Sequence, residues 1–581
     1  MRLIIDPRDG DIEDDASSTK RHSLLSLAGS LLVEVSIAKL LAAWLMLVAL
    51  PGALLGLAPL IATAWLSAIA DKAAAIAGVG SILTLGLILA VSWFGVRHLF
   101  RILERSFWSL NALLVQPVYA LARESIRHMA ERFLSRNLSD AWRERVRAAG
   151  AAVAGLIVFI AAAVFAICVW PYTRWSASVS DLVAPQALLL PALANMTLLV
   201  TGYLGAGSLF WGLADATMEQ PRSASEADGT VSGTSKWRVV HLSDIHMVGE
   251  RFGCRIECGR DGPRGNGRFD EVLAQLAMMH EEDPLDYIVI TGDLTDAGRA
   301  SEWAEFVSVM ARYPKLLERT LVIPGNHDLN VVDRANPARL ELPISPGKRL
   351  RQMRTLSAIC GVQGDRVHVV DTDTHGIGAL LETALTPHLH AIKTFADAGG
   401  LGLSWRLGRV WSDAFPLVVP PSTENGLGVM LLNSNAEANF SFTNALGLVP
   451  FEDMRAVISL LRSHPKAHWI IALHHHLVEY PMPAEELSER IGTALINGSW
   501  LVRELRPYAK RITILHGHRH IDWLGTCGHL RVISAPSPVM PTKGTAKGSF
   551  YVHTFSATTD GLALASSTPI NLPDESTGLK S

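Results

Sequence analysis

Val239-Val240-His241-Leu242-Ser243-Asp244-Ile245-His246 reads as a short apolar strand that ends in a carboxylate and an imidazole, one residue apart. Side chains alternate along a strand with period two, so Asp244 and His246 point the same way where the strand gives out into loop. Such a pair suits a divalent metal of intermediate softness, such as Zn, Mn or Fe. Alone, Asp-x-His is a chance motif. Its weight comes from the strand ends that follow.

Tyr287-Ile288-Val289-Ile290 runs into Thr291-Gly292-Asp293-Leu294-Thr295-Asp296. Gly292 lets backbone approach closely, and Asp293 lies where a carboxylate can bridge two ions. Thr320-Leu321-Val322-Ile323-Pro324 leads into Gly325-Asn326-His327-Asp328. Asn326 offers a neutral oxygen ligand. His327 is free to act as an acid or to stabilise charge, with Asp328 near enough to orient it. Trp469-Ile470-Ile471-Ala472-Leu473 delivers His474-His475-His476; His474 is the expected ligand, and His476, on the same face, is the reserve. Ile512-Thr513-Ile514-Leu515 delivers His516-Gly517-His518-Arg519-His520. Open α/β sheets bind ligands at the carboxyl ends of their strands. Converging there, these ends would gather two Asp carboxylates, one Asn and about four His, too many for one tetrahedral ion and enough for two.

Taken in order, Asp-x-His, Gly-Asp-x-x-Asp, Gly-Asn-His-Asp, a strand-end His and Gly-His-x-His resemble the calcineurin-like metallophosphoesterase superfamily. The run Ile290–Gly298 looks most like its cyclic-nucleotide-phosphodiesterase-like branch. The resemblance covers about Trp237 to Ser556 and implies a four-layer α/β/β/α sandwich around a dinuclear site. It implies that Asp244, His246 and His520 hold one metal, that Asn326, His474 and His518 hold the other, and that Asp293 bridges. His327 matches the catalytic histidine. Asp296 and Asp328 are expected to orient the site residues around them rather than to bind metal. The implied cofactors are two divalent ions, Mn, Fe or Zn. The family often carries His-His-Pro-Pro at the fourth cluster, whereas Leu477 follows His476 here.

The chain has 581 residues, net charge -3 and only 18% charged residues, with a mean hydropathy of +0.24. No general basic face suggests a nucleic-acid polymer as partner. The apolar excess lies in the first third. A polar tail, 1–38, precedes a membrane domain, 39–215. Four uncharged stretches, about 40–70, 73–96, 148–173 and 182–214, each exceed the ~20 residues that cross a bilayer as a helix. Between the second and third lie ten arginines, Arg97 to Arg147. The positive-inside rule puts that loop, 97–147, in the cytoplasm, and with four spans both termini share its side. Residues 106–122 are also uncharged and read either as an interfacial helix or as a fifth span. A polar linker, 216–236, leads to the catalytic domain, 237–556, and a Ser/Thr-rich tail, 557–581. About a hundred residues, 329–427, separate Asp328 from the next clear strand and read as an inserted cap or lid. Lys348, Arg349, Arg351 and Arg354 within it read as a solvated helix face, against a substrate-phosphate clamp. Five cysteines at irregular spacing make no disulfide framework; Cys254 and Cys258 give a weak metal signal.

The expectation is a multi-pass protein of the plasma or inner membrane with a cytoplasmic dinuclear phosphoesterase domain. Two ions about 3.5–4 Å apart can hold a hydroxide between them that attacks phosphorus, while His327 protonates the departing oxygen. The substrate is a phosphodiester or phosphomonoester, the branch resemblance favouring a nucleotide-type diester. The spans beside the site motivate a lipid-linked phosphate or pyrophosphate instead. A different class of function is a non-catalytic metal-binding platform, or a sensor whose spans receive a signal.

Overall fold

A computed structural model describes the chain except residues 1–3, 5–40, 42–49, 76–113, 134–139, 184–185, 225–234, 259–261, 333–338, 343–344, 372, 437–440, 442–443, 483–492, 494, 541–547 and 573–581. It divides into two compact units, one of residues 36–218 and one of residues 1–35 with 219–581.

The first unit is helical. The described helices include Leu50–Ala75, Gln116–Phe133, Asp140–Val169 and Gln186–Ala216. Of the four expected spans, two stand among the described residues as helices long and apolar enough to cross a membrane, Trp142–Tyr172 and Gln186–Ala216. The helix at Leu50–Ala75 has a shorter apolar stretch, Leu55–Ile69. From residue 76 on, the expected second span lies outside the described residues.

The two long helices pack antiparallel through small residues. A Cβ on Gly155 would lie 2.6 Å from the Ser208 carbonyl oxygen and 2.9 Å from the Gly212 Cα. Ala151, Ala154 and Ala162 are buried, while Leu156, Ile157, Ile160, Phe165 and Ile167 are exposed. Polar groups collect at one end of the pair. The Tyr119 hydroxyl donates to Asp215 Oδ2 at 2.9 Å, Arg123 pairs with the same oxygen at 2.8 Å, and Arg147 pairs with Glu131 at 3.2 Å. The helix Gln116–Phe133 therefore lies with the charged ends of the other two. It carries Arg123, Glu124, Arg127 and Glu131, so residues 116–122 open a polar helix, while 106–113 lie outside the described residues.

The second unit holds two mixed sheets. The strands are β1 (Pro221–Ser223), β2 (Ser235–Leu242), β3 (Tyr287–Ile290), β4 (Thr320–Val322), β5 (His368–Val370), β6 (Ile377–Leu380), β7 (Leu417–Val419), β8 (Leu427–Leu431), β9 (His468–Ala472), β10 (Ile512–His516), β11 (Trp523–Cys527), β12 (Leu530–Ser534), β13 (Ser549–Thr558) and β14 (Gly561–Asn571). One sheet runs β1-β11-β12-β10-β9-β8-β7-β5-β6 and the other β14-β13-β2-β3-β4. Each has a parallel centre: β8, β9, β10 and β12 in the larger, β2, β3 and β4 in the smaller. Such strands are buried on both faces, which is why they read as unbroken apolar runs. One continuous core draws Val240, Leu242 and Val289 from the smaller sheet and Val429, Ile470 and Leu515 from the larger. The helices Gly267–Glu282 and Ala300–Met310 add Phe269 and Trp303 to it.

Three expectations need correction. Residues 329–427 are not a separate cap. They add β5, β6 and β7 to the edge of the larger sheet, and Met353, Ile359, Ile392 and Leu407 join the common core. Those strands are three or four residues long, too short to show periodicity. Nor is the helix Pro346–Gln363 a solvated face: Lys348, Arg349, Arg351 and Arg354 are all buried. Their guanidiniums serve backbone carbonyls, Arg351 at Leu329 (2.9 Å), Arg354 at Gly298 (3.3 Å) and Arg349 at Ser404 (2.9 Å). Third, the described residues past Ser556 are largely strand. β14 pairs antiparallel with β13 and buries Leu562 and Leu564, its Ser/Thr content belonging to a solvated edge. The linker likewise contains β1, paired with β11.

Candidate metal centre

Five of the expected site residues sit just past strand ends where the backbone turns left-handed. Positive φ occurs at Asp244 (56°), His246 (47°), Asp293 (49°), His518 (77°) and His520 (51°). Non-glycine residues seldom adopt this conformation, Asp and His less reluctantly than most. The turns are held by bonds between loops. Asp244 N–H donates to the Gly292 carbonyl (3.1 Å), His246 N–H to Asp293 (2.9 Å) and Gly517 N–H to His474 (3.0 Å). Gly292 has φ 97°, and a Cβ there would strike His474 Nδ1 at 2.5 Å. At Gly325 a Cβ would meet Asp293 Oδ1 at 2.1 Å.

All seven expected ligands converge. His474 Nε2 lies 3.2 Å from Asp293 Oδ2, 3.1 Å from Asn326 Oδ1 and 3.1 Å from His518 Nδ1. On the other side of Asp293, His246 Nε2 is 3.6 Å from Oδ2, and His520 Nε2 is 3.3 Å from Asp244 Oδ1. Three groups place one ligand atom each within 4.8 Å of one another: Asp244, His246 and His520; His246, Asp293 and His327; Asp293, His474 and His518. The donor set fits divalent ions. Imidazole nitrogens face one another and an amide oxygen around one carboxylate. His246 Nε2 and His518 Nε2 are buried without a hydrogen-bond partner. His246 joins the first group to the second, and Asp293 joins the second to the third.

The electrostatics follow from that crowding. Burial would raise Asp293, but the surrounding His474, His327 and His246 imidazoles hold its carboxyl far below the usual range. Burial would lower His474, and Asp293 against it reverses this, lifting it to about 9. His518, buried among imidazoles, is driven well down.

Around these lie the groups that fix them. Asp296 Oδ1 stands 3.2 Å from His246 Nδ1, the orienting role expected of it. His474 Nδ1 faces the Thr291 carbonyl at 2.7 Å. His327, buried, has Nδ1 2.6 Å from the Asp296 carbonyl oxygen. That carbonyl, and not Asp328, is what orients His327. The Asp328 carboxylate instead accepts from Leu294 N–H, Thr295 N–H, the Thr295 hydroxyl and Gly325 N–H. It ties the Asp293 loop to the Asn326 loop. His476 turns to Glu479, 3.1 Å away, which leaves the central position to His474. Cys254 and Cys258 belong to none of the metal-type groups among the described residues.

Two residues escaped the sequence reading. Ser434 follows β8, and its hydroxyl accepts from His474 N–H and His475 N–H (3.1 Å each) while facing His475 Nδ1 at 2.9 Å. Its signal was available, because an apolar strand ended there as at the other loops. Glu257 has Oε1 3.5 Å from His327 Nε2 and comes from a loop with no motif.

Residues 238–522 match the family described as Calcineurin-like phosphoesterase. Among curated proteins, none matches the chain. Solved structures similar to it include a protein described as a 5′-nucleotidase from Staphylococcus aureus, 15% identical, covering 59% of this chain and 55% of that one with a TM-score of 0.31. A dimetal phosphatase from Danio rerio is 10% identical, covering 58% and 99% with a TM-score of 0.33. A calcineurin-like phosphoesterase from Bacillus subtilis is 13% identical, covering 58% and 90% with a TM-score of 0.26.

Proposed function

We propose that this chain is a membrane-anchored, metal-dependent enzyme hydrolysing phosphoric esters at a two-ion centre, the reading supported by the match of residues 238–522 to the calcineurin-like phosphoesterase family. The observation that carries this is the convergence of Asp293, Asn326 and His518 on His474 Nε2, all within 3.1–3.2 Å. Asp244, His246 and His520 would hold one divalent ion and Asn326, His474 and His518 the other, with Asp293 between them. Mn, Fe and Zn all suit the set, and supply decides among them. Bound there, such ions supply an activated water and neutralise phosphoryl charge.

The protein's own part is positioning and proton handling. His327 keeps Nδ1 on the Asp296 carbonyl, which leaves Nε2 to give a proton to the departing oxygen, a contribution of roughly 10²–10⁴-fold. Asp328 and Asp296 hold the two loops and the His246 ring in register.

Membrane anchoring is supported by the helices Trp142–Tyr172 and Gln186–Ala216. They expose large apolar side chains and pack through small ones, the arrangement of helices surrounded by lipid. The basic segment beside their charged ends favours the cytoplasmic side. Ile4 N–H donates to Ser357 Oγ at 3.0 Å within the phosphoesterase unit. Residue 4 on that side calls for an even number of crossings between the two.

The test is a screen of the purified full chain, metal by metal, over a phosphoester panel. A cyclic nucleotide and a simple diester would be set against a detergent-solubilised phospholipid and a nucleotide-lipid, since the helices also suit a lipid-linked phosphate. Turnover of none of these, or well under one ion per chain by metal analysis, would leave a binding platform.

A further inference from the structure

The loop after His246 delivers a carboxylate to the catalytic histidine. Ile256 N–H donates to Asp296 Oδ2 at 2.8 Å, and the other oxygen of Asp296 faces His246. Arg255, fully buried, donates to the carbonyls of Pro263 (2.9 Å) and Gly265 (2.8 Å) and so closes the loop on itself. Glu257 follows directly. Its Oε1 lies 3.5 Å from His327 Nε2, and its side chain is 31% exposed. Because His327 Nδ1 is engaged by the Asp296 carbonyl, Nε2 is the ring atom that meets a substrate. Glu257 stands beside that atom.

We propose that Glu257 is a specificity-determining residue that favours phosphodiesters over phosphomonoesters. The inference rests on the phosphoesterase reading above. A phosphomonoester loses its second proton near pH ~6 and carries close to two negative charges at pH 8. A diester carries one. Like charges a few ångströms apart repel far more in a partly water-excluded site than in bulk water. The extra charge of a monoester meets the Glu257 carboxylate beside His327. A diester presents an organic substituent there instead and leaves the carboxylate paired with the imidazole.

The experiment compares bis(p-nitrophenyl) phosphate with p-nitrophenyl phosphate on the metal-loaded full chain at pH 8. Both release the same leaving group. Glu257→Gln is expected to narrow the diester-to-monoester ratio of kcat/KM by about tenfold, mainly through a lower KM for the monoester. Glu257→Lys should narrow it further. A structural defect would depress both esters alike and leave the ratio where it was. A ratio within twofold of the wild type in both variants overturns the role of Glu257. A wild type that hydrolyses neither ester, nor any member of the phosphoester panel above, overturns the phosphoesterase reading itself, and the inference with it.

Discussion

The backbone N–H of His518 donates to both carboxylate oxygens of Asp244, at 3.2 and 3.0 Å. The two residues follow strands of different sheets, β2 and β10. Asp244 therefore cannot turn toward an ion unless the loop after β10 is in place. Gly517 makes that approach possible, since a Cβ on it would fall 1.7 Å from Ser243 Oγ and 2.6 Å from Asp244 Oδ2. Gly517→Ala is expected to lower metal affinity roughly 10–100-fold, the usual cost of disturbing a ligand's support. Metal titration of the stripped protein would measure it, and unchanged affinity would mean that the loop is not what sets Asp244.

Removal of His327 and removal of Asp293 should separate. His327→Ala is expected to keep its metal and lose about 10²–10⁴-fold in kcat. Asp293→Ala should lose both, because its carboxylate lies between His246 and His474. Metal content and diester turnover, measured on the same samples, decide this. Near-normal turnover in the His327 variant would remove it from the chemistry.

Metal uptake should release protons and strengthen with rising pH. Without metal, burial pushes His474 down and Asp293 more than restores it, to about 9. That pairing stabilises the metal-free fold below the ordinary histidine value, about 6.5, and its contribution is lost as pH rises through about 9. An ion on Nε2 must displace the proton. Between those limits affinity should climb by up to about tenfold per pH unit. Calorimetry in buffers of different ionisation enthalpy would detect the released proton, and a pH-independent affinity would contradict the assignment.

Asp328→Ala strands four buried donors on the Asp293 and Asn326 loops. A loss of about 2–4 kcal/mol is expected, read as a lower Tm of the metal-free protein. Asp328→Asn, which keeps one acceptor oxygen, should lose less. Equal Tm values for Asp328→Ala and the wild type would show that the loops do not depend on this carboxylate.

Gly212→Leu tests the helical unit apart from the site. A Cβ at Gly212 already falls 2.9 Å from the Ala151 carbonyl oxygen and from the Gly155 Cα. Overpacking of about 1–3 kcal/mol should appear as earlier aggregation on heating in detergent. The domain's metal content should be unchanged.

The candidate site was legible because each of its loops follows an apolar strand and carries its own short motif. Asp244, Asp293, Asn326, His474 and His518 announce themselves by type and spacing. What supports them did not. Arg351 and Arg354 look like surface cations until their carbonyl partners at Leu329 and Gly298 are seen. Glu257 reaches His327 through a loop without periodicity. β14 is half polar because only one of its faces is covered. Contacts made by irregular backbone, or by polar side chains turned inward, leave no period in the sequence.

The left-handed turns at Asp244, His246, Asp293, His518 and His520 set stability against catalysis at five positions at once. Each gives up of the order of 1 kcal/mol or more to a glycine that would sit there without strain. A library varied at these codons and selected only for soluble, heat-resistant protein should drift toward Gly and Asn. The same library selected for turnover should return Asp and His. The distance between the two outcomes would measure what the fold has surrendered to keep its chemistry.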